Sequence, residues 1–242
     1  MTNKKNSYLY HIVKRILDIF LCFLGLLFIF PISIVIILIL KLTGEGEVFY
    51  IQERMGYKNK PFYIYKFATM IKNSQNIGNK TVTVRNDPRI TKFGRILRIT
   101  KINELPQILN VLKGDMSLVG PRPLLVSSFY KYTADVQDLI YRNKPGITGV
   151  GSLIFRDEEL LVSKYKRLNK NPLDYYRKYI YPYKGSLEQW YYYNQSLSVD
   201  FKIIFLTFWS LINHNSKIVY QTLKKLPEKP NELTIDGIKN LK

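Results

Sequence analysis

The sequence predicts an α+β protein: an N-terminal re-entrant membrane helix hairpin, then a mostly helical cytosolic domain with a small β-sheet and interfacial amphipathic helices. Three observations carry this expectation. Residues 19–40 form an uncharged apolar run that as helix would rise about 33 Å, enough to cross a bilayer. Basic residues flank it on both sides, with Lys4, Lys5, Lys14 and Arg15 before and Lys41, Arg54, Lys58 and Lys60 after. Behind it, short alternating stretches give way to several amphipathic, helix-like ones.

The apolar run exceeds a typical signal-peptide core, and no small-x-small cleavage pattern follows it. A simple span would place one basic flank outside, whereas a chain that enters and turns back keeps both inside, as the positive-inside tendency favours. Pro31, near the midpoint, removes a backbone donor and clashes with the carbonyl four residues earlier, so a re-entrant helix would break there. Ser33 is placed to bond a carbonyl freed by that break. A Pro-kinked ordinary span remains the competing reading, and Asp18 beside Arg15 reads as a local pair at the interface.

Composition turns mixed after residue 43. VFYIQ (48–52) and PFYIYKFATM (61–70) read as strands, the alternation in FYIYKF marking a half-buried one. Residues 72–80 read as a surface loop and Asn86-Asp87-Pro88 as a turn. Residues 90–101 fit a basic amphipathic helix, and 105–112 a second short helix closed by Gly114. Residues 130–142 and 157–168 read as helical, with Lys144-Pro145-Gly146 as punctuation between them. The apolar 201–212 is too short to cross a bilayer and suits either the interface or the core, beside an aromatic and basic run at 175–193. The predicted organisation is therefore residues 1–42 as basic segment and membrane helix, 43–215 as the main folded domain, and 216–242 as a polar, mobile tail.

The chain carries 37 Lys+Arg against 18 Asp+Glu, a net charge of +19, while 46% of it is apolar. That apolar content excludes disorder, and the charge predicts an anionic partner: phosphate, nucleic acid or an anionic bilayer. One cysteine excludes an intrachain disulfide, and two histidines argue against a Cys/His zinc site, so any metal would be a hard ion on carboxylates. Chemistry concentrates in QERMG (52–56), YKFATM (65–70), NDPRITKFGRILR (86–98), NELPQILNVLKGDMSLVGPRP (103–123) and KPGITG (144–149). Glu104 stands near Arg95 and Arg98 and ahead of Lys113 and Arg122. Arginine offers a fork and lysine a point charge for phosphate, so this set reads as a phosphate grip.

In this order and behind a basic-flanked apolar segment, these motifs make residues 10–207 resemble the bacterial sugar transferases called monotopic phosphoglycosyl transferases. The closing SLSVDFKIIFLT, around Asp200, is similar to the family's final motif. The resemblance implies transfer of a sugar 1-phosphate from a UDP-sugar to undecaprenyl phosphate, with release of UMP, at the start of surface glycan synthesis. It also implies Mg2+, a phosphosugar-enzyme intermediate, a phospholipid bilayer as partner, and a catalytic domain on the cytoplasmic face of the bacterial inner membrane. Glu104 falls on the metal-binding half of the family's Asp-Glu dyad, and Lys66, Arg98 and Arg122 on its cationic positions. Arg95, Lys113, Asp157 and Asp200 are placed with substrate binding. Nucleic acid loses its claim once the charges divide between bilayer and diphosphate, and the sequence leaves room for a homo-oligomer.

The chain departs from the pattern at the dyad, which reads Asn103-Glu104, and at Ala68, where the family commonly has Arg. An amide oxygen is a poor nucleophile beside an ionised carboxylate. Either transfer persists by another route, with Glu104, a carboxylate of the 156–159 cluster such as Asp157, or direct attack by the lipid phosphate, or the chain is an inactive relative that binds lipid. A third reading makes Asn103 a sampled or engineered substitution in an ordinary enzyme.

Overall fold

The structure, a computed structural model, describes residues 4–43, 45–74, 87–213 and 217–239. Most of the expected 72–80 loop and Asn86 lie outside the described residues, as do the side chains before Tyr8.

Helix α1 (Lys4–Thr43) is unbroken in its hydrogen-bond pattern, with Pro31 inside it. The helix assignment thus continues through Pro31, where a break was expected, with one backbone donor missing at that position. One stripe of α1, through Asp18, Cys22, Leu26, Ile29, Ser33, Ile36 and Leu40, is buried or half-buried, a three-and-four spacing that keeps one helix face toward the domain. The opposite face leaves Phe20, Phe23, Leu27, Phe28, Phe30 and Val35 exposed. Cys22 packs with Ile64, Ile108, Val111 and Met116, and Ile36 and Leu40 pack with Val48, Phe67 and Leu97. Both halves of α1 therefore dock on one folded body.

Polar contacts fix the docking. Arg15 donates to the carbonyls of Val111 (2.5 Å) and Leu112 (2.9 Å), capping the last turn of α3 (Gln107–Lys113). Asp18 is not paired with Arg15, as expected, but buried, accepting from the Ser117 hydroxyl (2.7 Å) and the Leu118 N–H (3.1 Å). A buried carboxylate needs such donors. Near the start of α1, Tyr10 (2.8 Å) and Lys14 (2.6 Å) converge on Asp200, which also accepts from Tyr191 (2.7 Å).

Strands β1 (Phe49–Met55) and β2 (Pro61–Phe67) form an antiparallel hairpin, with Tyr50 opposite Lys66 and Arg54 opposite Phe62. Helix α2 (Lys92–Ile99) starts at Thr91, whose hydroxyl accepts the Gly94 N–H at 2.9 Å. It leaves Ile96 and Ile99 exposed. After α3, Gly114 at φ 96 ends the helix in the left-handed region as expected. Asn110, fully buried on α3, accepts the Tyr65 N–H (3.1 Å) and donates to the Tyr63 carbonyl (2.7 Å), so one amide side chain clips the helix to the free edge of β2.

A second, parallel pair was not foreseen: β3 (Ser117–Val119) and β4 (Gly146–Thr148). It brings the GPRP and KPGITG motifs backbone to backbone. A Cβ at Gly120 would lie 2.3 Å from the Lys144 carbonyl oxygen, and one at Gly146 would lie 2.1 Å from the Gly120 nitrogen, so only glycine admits this approach. Short helices α4 (Val126–Phe129) and α5 (Ala134–Ile140) separate the two strands. Helices α6 (Val150–Ile154), α7 (Glu158–Lys166) and α8 (Pro172–Tyr175) follow, and a π-helical turn (Tyr176–Ile180) joins α8 to α9 (Tyr181–Asn194).

The main core gathers around α9, with Leu187 and Tyr191 meeting Ile203 and Leu206 of α10 (Leu197–Ile212). Phe201, Phe205, Phe208 and Ile212 of α10 stay exposed. The stretch expected to be a polar, mobile tail instead carries α11 (Lys217–Thr222) and α12 (Ile235–Lys239), and it buries Val219, Leu223, Leu233 and Ile238 in the same core. Its widely spaced apolar residues face inward among exposed lysines such as Lys224 and Lys225, which composition alone conceals.

The Asp200 cluster predicts a stability effect. Asp200→Ala strands Lys14, whose side chain is 14% exposed, and is expected to cost about 3 kcal/mol. Asp200→Asn, which keeps an acceptor, is expected to cost less. Thermal unfolding in detergent measures both, and an alanine variant as stable as the parent contradicts the clamp.

Candidate active site

The site is assembled from four segments. Between α2 and α3 a 3-10 turn (Ile102–Glu104) follows Lys101, which sits at φ 60, and this tight turn buries Asn103 while sending Glu104 toward β2. Lys66 of β2 reaches Glu104 Oε1 at 2.6 Å, and Arg122 from the loop after β3 reaches the same oxygen at 3.0 Å. Arg54 of β1, with Ile64, Lys66, Gln107, Arg122 and Pro123, lines the adjoining pocket. Arg54 donates to the Pro123 carbonyl (3.3 Å) and to the Gln52 side chain, while its Nε is buried without a partner.

Main-chain bonds hold Arg122 firmly. Tyr141 donates to the Arg122 carbonyl (2.8 Å) and accepts the Leu124 N–H (2.7 Å), and the Met55 N–H meets the Leu124 carbonyl (2.8 Å). The GPRP segment is thereby tied to α5 on one side and to the hairpin on the other.

Three cations around one carboxylate set the electrostatics. Burial works against ionisation of Glu104, but Arg122 and Lys66 outweigh it and hold the carboxyl far below its usual range. Burial pulls the Lys66 ammonium down to about 8, against the pull of Glu104, with Arg122 and Arg54 adding to the depression. Arg54 is brought down to about 10 by burial first and Arg122 next. The cluster has surplus positive charge and spare donors, so it is chemically a receptor for a phosphate-bearing anion. Asn103, the residue before Glu104 on the same 3-10 turn, has a buried Oδ1 that finds no hydrogen-bond partner.

The residues expected here divide. Glu104, Lys66 and Arg122 come together, and Asn103 is buried one residue before Glu104. Arg98 turns to Glu159 (2.8 Å) at the start of α7, and Arg95 is exposed on α2. Lys113 is exposed near Asp115 (3.9 Å) at the end of α3, beyond the Glu104 cluster. Asp157 precedes α7 and acts electrostatically on Lys229, whereas its neighbour Glu158 pairs with Lys184 (2.6 Å) and acts on Arg122. Asp200 lies in the α1 clamp. Arg54 was read with the lipid-facing flank and Gln107 was not singled out, yet both line the pocket. The signal for each was its place in QERMG and in ELPQ.

The chain belongs to the bacterial sugar transferase family, which matches residues 9–214. It is 37% identical over 199 residues to the UDP-glucose:undecaprenyl-phosphate glucose-1-phosphate transferase of Escherichia coli (strain K12), covering 81% of this chain and 39% of that one. It is 34% identical over 210 residues to the undecaprenyl-phosphate galactose phosphotransferase of Salmonella typhimurium, with 81% and 39% covered. The uncharacterized sugar transferase EpsL of Bacillus subtilis (strain 168) is 37% identical over 202 residues, with 81% and 85% covered. The chain thus spans about two fifths of the first two relatives and most of the third.

The ionised state of Glu104 has a pH signature. Its pKa is depressed on folding, so its contribution is complete above the ordinary carboxyl value of 4.5 and is lost as pH falls below it. In chelator-containing buffer, Glu104→Gln is expected to be about 2 kcal/mol less stable than the parent at pH 6, allowing for solvent at Arg122. The gap should close toward pH 3. A constant gap in denaturation measurements would count against the pairing.

Proposed function

We propose that this protein transfers a sugar 1-phosphate from a UDP-sugar to undecaprenyl phosphate, releasing UMP. The observation that carries the reading is the pocket in which Arg54, Lys66 and Arg122 surround the single carboxylate of Glu104, in a chain whose relatives are named for undecaprenyl-phosphate sugar transfer. The donor's diphosphate occupies the pocket, where the arginine forks and the Lys66 ammonium offset charge on its oxygens.

The acceptor is a lipid, and the fold supports a membrane setting. Helix α1 is long and apolar enough to cross a bilayer, yet both of its halves dock on the catalytic body, which supports a re-entrant path with both basic flanks on the cytoplasmic face of the inner membrane. The exposed aromatic face of α10 and the exposed Ile96 and Ile99 of α2 suit contact with the same interface.

Magnesium fits the donor set. Both cations meet Glu104 at Oε1, leaving Oε2, and the preceding residue, Asn103, has a buried Oδ1 without a hydrogen-bond partner. Magnesium takes one or two such protein oxygens together with substrate phosphates. Among the described residues no cluster of three His, Cys, Asp or Glu forms a closed cage. When bound it would neutralise phosphoryl charge.

The route of transfer follows from Asn103. Its amide is no nucleophile, and Glu104 is occupied by two cations, so the pocket offers no free carboxylate to carry the sugar phosphate. An oxygen of the lipid phosphate attacks the phosphorus next to the sugar, forming the new P–O bond. The bond from that phosphorus to the bridging oxygen breaks, and the oxygen leaves with the electron pair as part of UMP.

Incubation with UDP-sugar, undecaprenyl phosphate and magnesium should release UMP, and none should appear without lipid. Glu104→Gln is expected to lower the rate about 100-fold. Failure of every UDP-hexose to yield UMP removes the proposal. Intact mass after incubation with UDP-sugar alone should be unchanged, whereas a phosphosugar adduct contradicts direct attack. Asn103→Asp should keep or raise activity, and a dead variant would show that the amide itself is required.

A further inference from the structure

The pocket beside Glu104 is lined, among the described residues, by Arg54, Ile64, Lys66, Gln107, Arg122 and Pro123. Guanidinium and ammonium groups only donate hydrogen bonds, and the side chains of isoleucine and proline do neither. Gln107 is therefore the one lining side chain that can accept as well as donate. The adjoining Glu104 already takes Lys66 and Arg122 on a single oxygen.

Helix α3 fixes where the Gln107 amide stands. Gln107 opens the helix one turn ahead of Asn110, and Asn110 is clipped to β2 through Tyr63 and Tyr65, so the two side chains share the face turned toward β2. Gln107 is only 2% exposed, yet among the described residues its amide has no hydrogen-bond partner. Unlike Asn103 Oδ1 and Arg54 Nε, its polar atoms are not among the fully enclosed ones left unpaired. The little surface it keeps thus opens on the pocket it lines. An amide in this state is costly until a ligand or water meets it, because burial has removed most of the solvent that would otherwise do so.

We infer that Gln107 is a substrate-binding residue that hydrogen-bonds a hydroxyl group of the sugar being transferred. The inference rests on the transferase reading. A phosphate oxygen is served by the three cations, whereas a hydroxyl both donates and accepts and so matches an amide. In a UDP-sugar the sugar is bonded through one oxygen to the phosphorus under attack, and the ribose is separated from that phosphorus by the second phosphate. The sugar's hydroxyls are therefore the neutral groups nearest the cations that hold the reacting phosphate.

Kinetics on deoxy sugars test this. The reference substrate is whichever of UDP-glucose, UDP-galactose and their N-acetylated counterparts the parent turns over fastest, compared with its monodeoxy analogues. In the parent, loss of one hydroxyl should lower kcat/KM for UMP release about tenfold or more. Gln107→Met keeps the length of the side chain without a strong hydrogen-bonding atom. In that variant the same analogue should differ from the full sugar by less than about threefold. A change in packing alone lowers the rate for every sugar alike and leaves this ratio at the parental value.

Calorimetric titration without lipid gives a readout that needs no turnover. The methionine variant should bind the UDP-sugar about tenfold more weakly than the parent and bind UDP equally well.

A parental ratio in the methionine variant overturns the inference, as does a parent indifferent to every deoxy analogue. Equal weakening of UDP and UDP-sugar also overturns it, since the amide would then serve the nucleotide. If the parent binds UDP-sugars but releases no UMP, the transferase reading fails, and the calorimetric comparison still decides the role of Gln107. A parent that binds no UDP-sugar overturns both.

Discussion

The contact of Glu104 with Lys66 and Arg122 is the constraint around which the rest of the domain is arranged. The partners lie 38 and 18 residues from it in sequence. Bringing like charges this close in a partly dry pocket is unfavourable unless a carboxylate sits between them. Each neighbouring device answers that demand. The hairpin delivers Lys66 and Arg54, Asn110 clips α3 to β2, and the glycine approach of β3 and β4 steers Arg122 inward. Under the proposed function a bound diphosphate would turn the same repulsion into attraction.

A ring of acids moderates the surplus charge. Glu159 takes Arg98, Glu158 takes Lys184, and Glu104 takes Lys66 and Arg122. Asn103 is therefore less anomalous in the structure than in the sequence. Another buried carboxylate beside Glu104 would bring repulsion of its own, and the amide adds an oxygen without adding charge.

Much of this was legible in the sequence where the signal was local. Periodicity located α2, alternation located β2, and Gly114 marked the end of α3. The motif order singled out Glu104, Lys66 and Arg122. What escaped was non-local or ambiguous in composition. Strands of three residues pair through backbone contacts that no side-chain pattern announces. Arg54 follows an apolar run and so read as facing lipid, although the β1 register turns it into the pocket. Lys113 was grouped with Glu104 because it is near in sequence, but it lies exposed at the far end of the helix that separates them. Leu233 and Ile238 sit among lysines and prolines, and only the fold reveals that they are covered.

The docking stripe of α1 carries a consequence for how this protein can be divided. Cys22, Ile36 and Leu40 are as much part of the catalytic body's interior as Ile64, Val111 and Phe67, which they cover. Composition suggests a cut near residue 42, but packing offers no seam there. A chain beginning after that point would uncover two apolar clusters, free the Val111 and Leu112 carbonyls that Arg15 caps, and leave Ser117 and the Leu118 N–H without Asp18. Helix α1 is thus also a wall of the domain it docks on, and the two form one unit of folding.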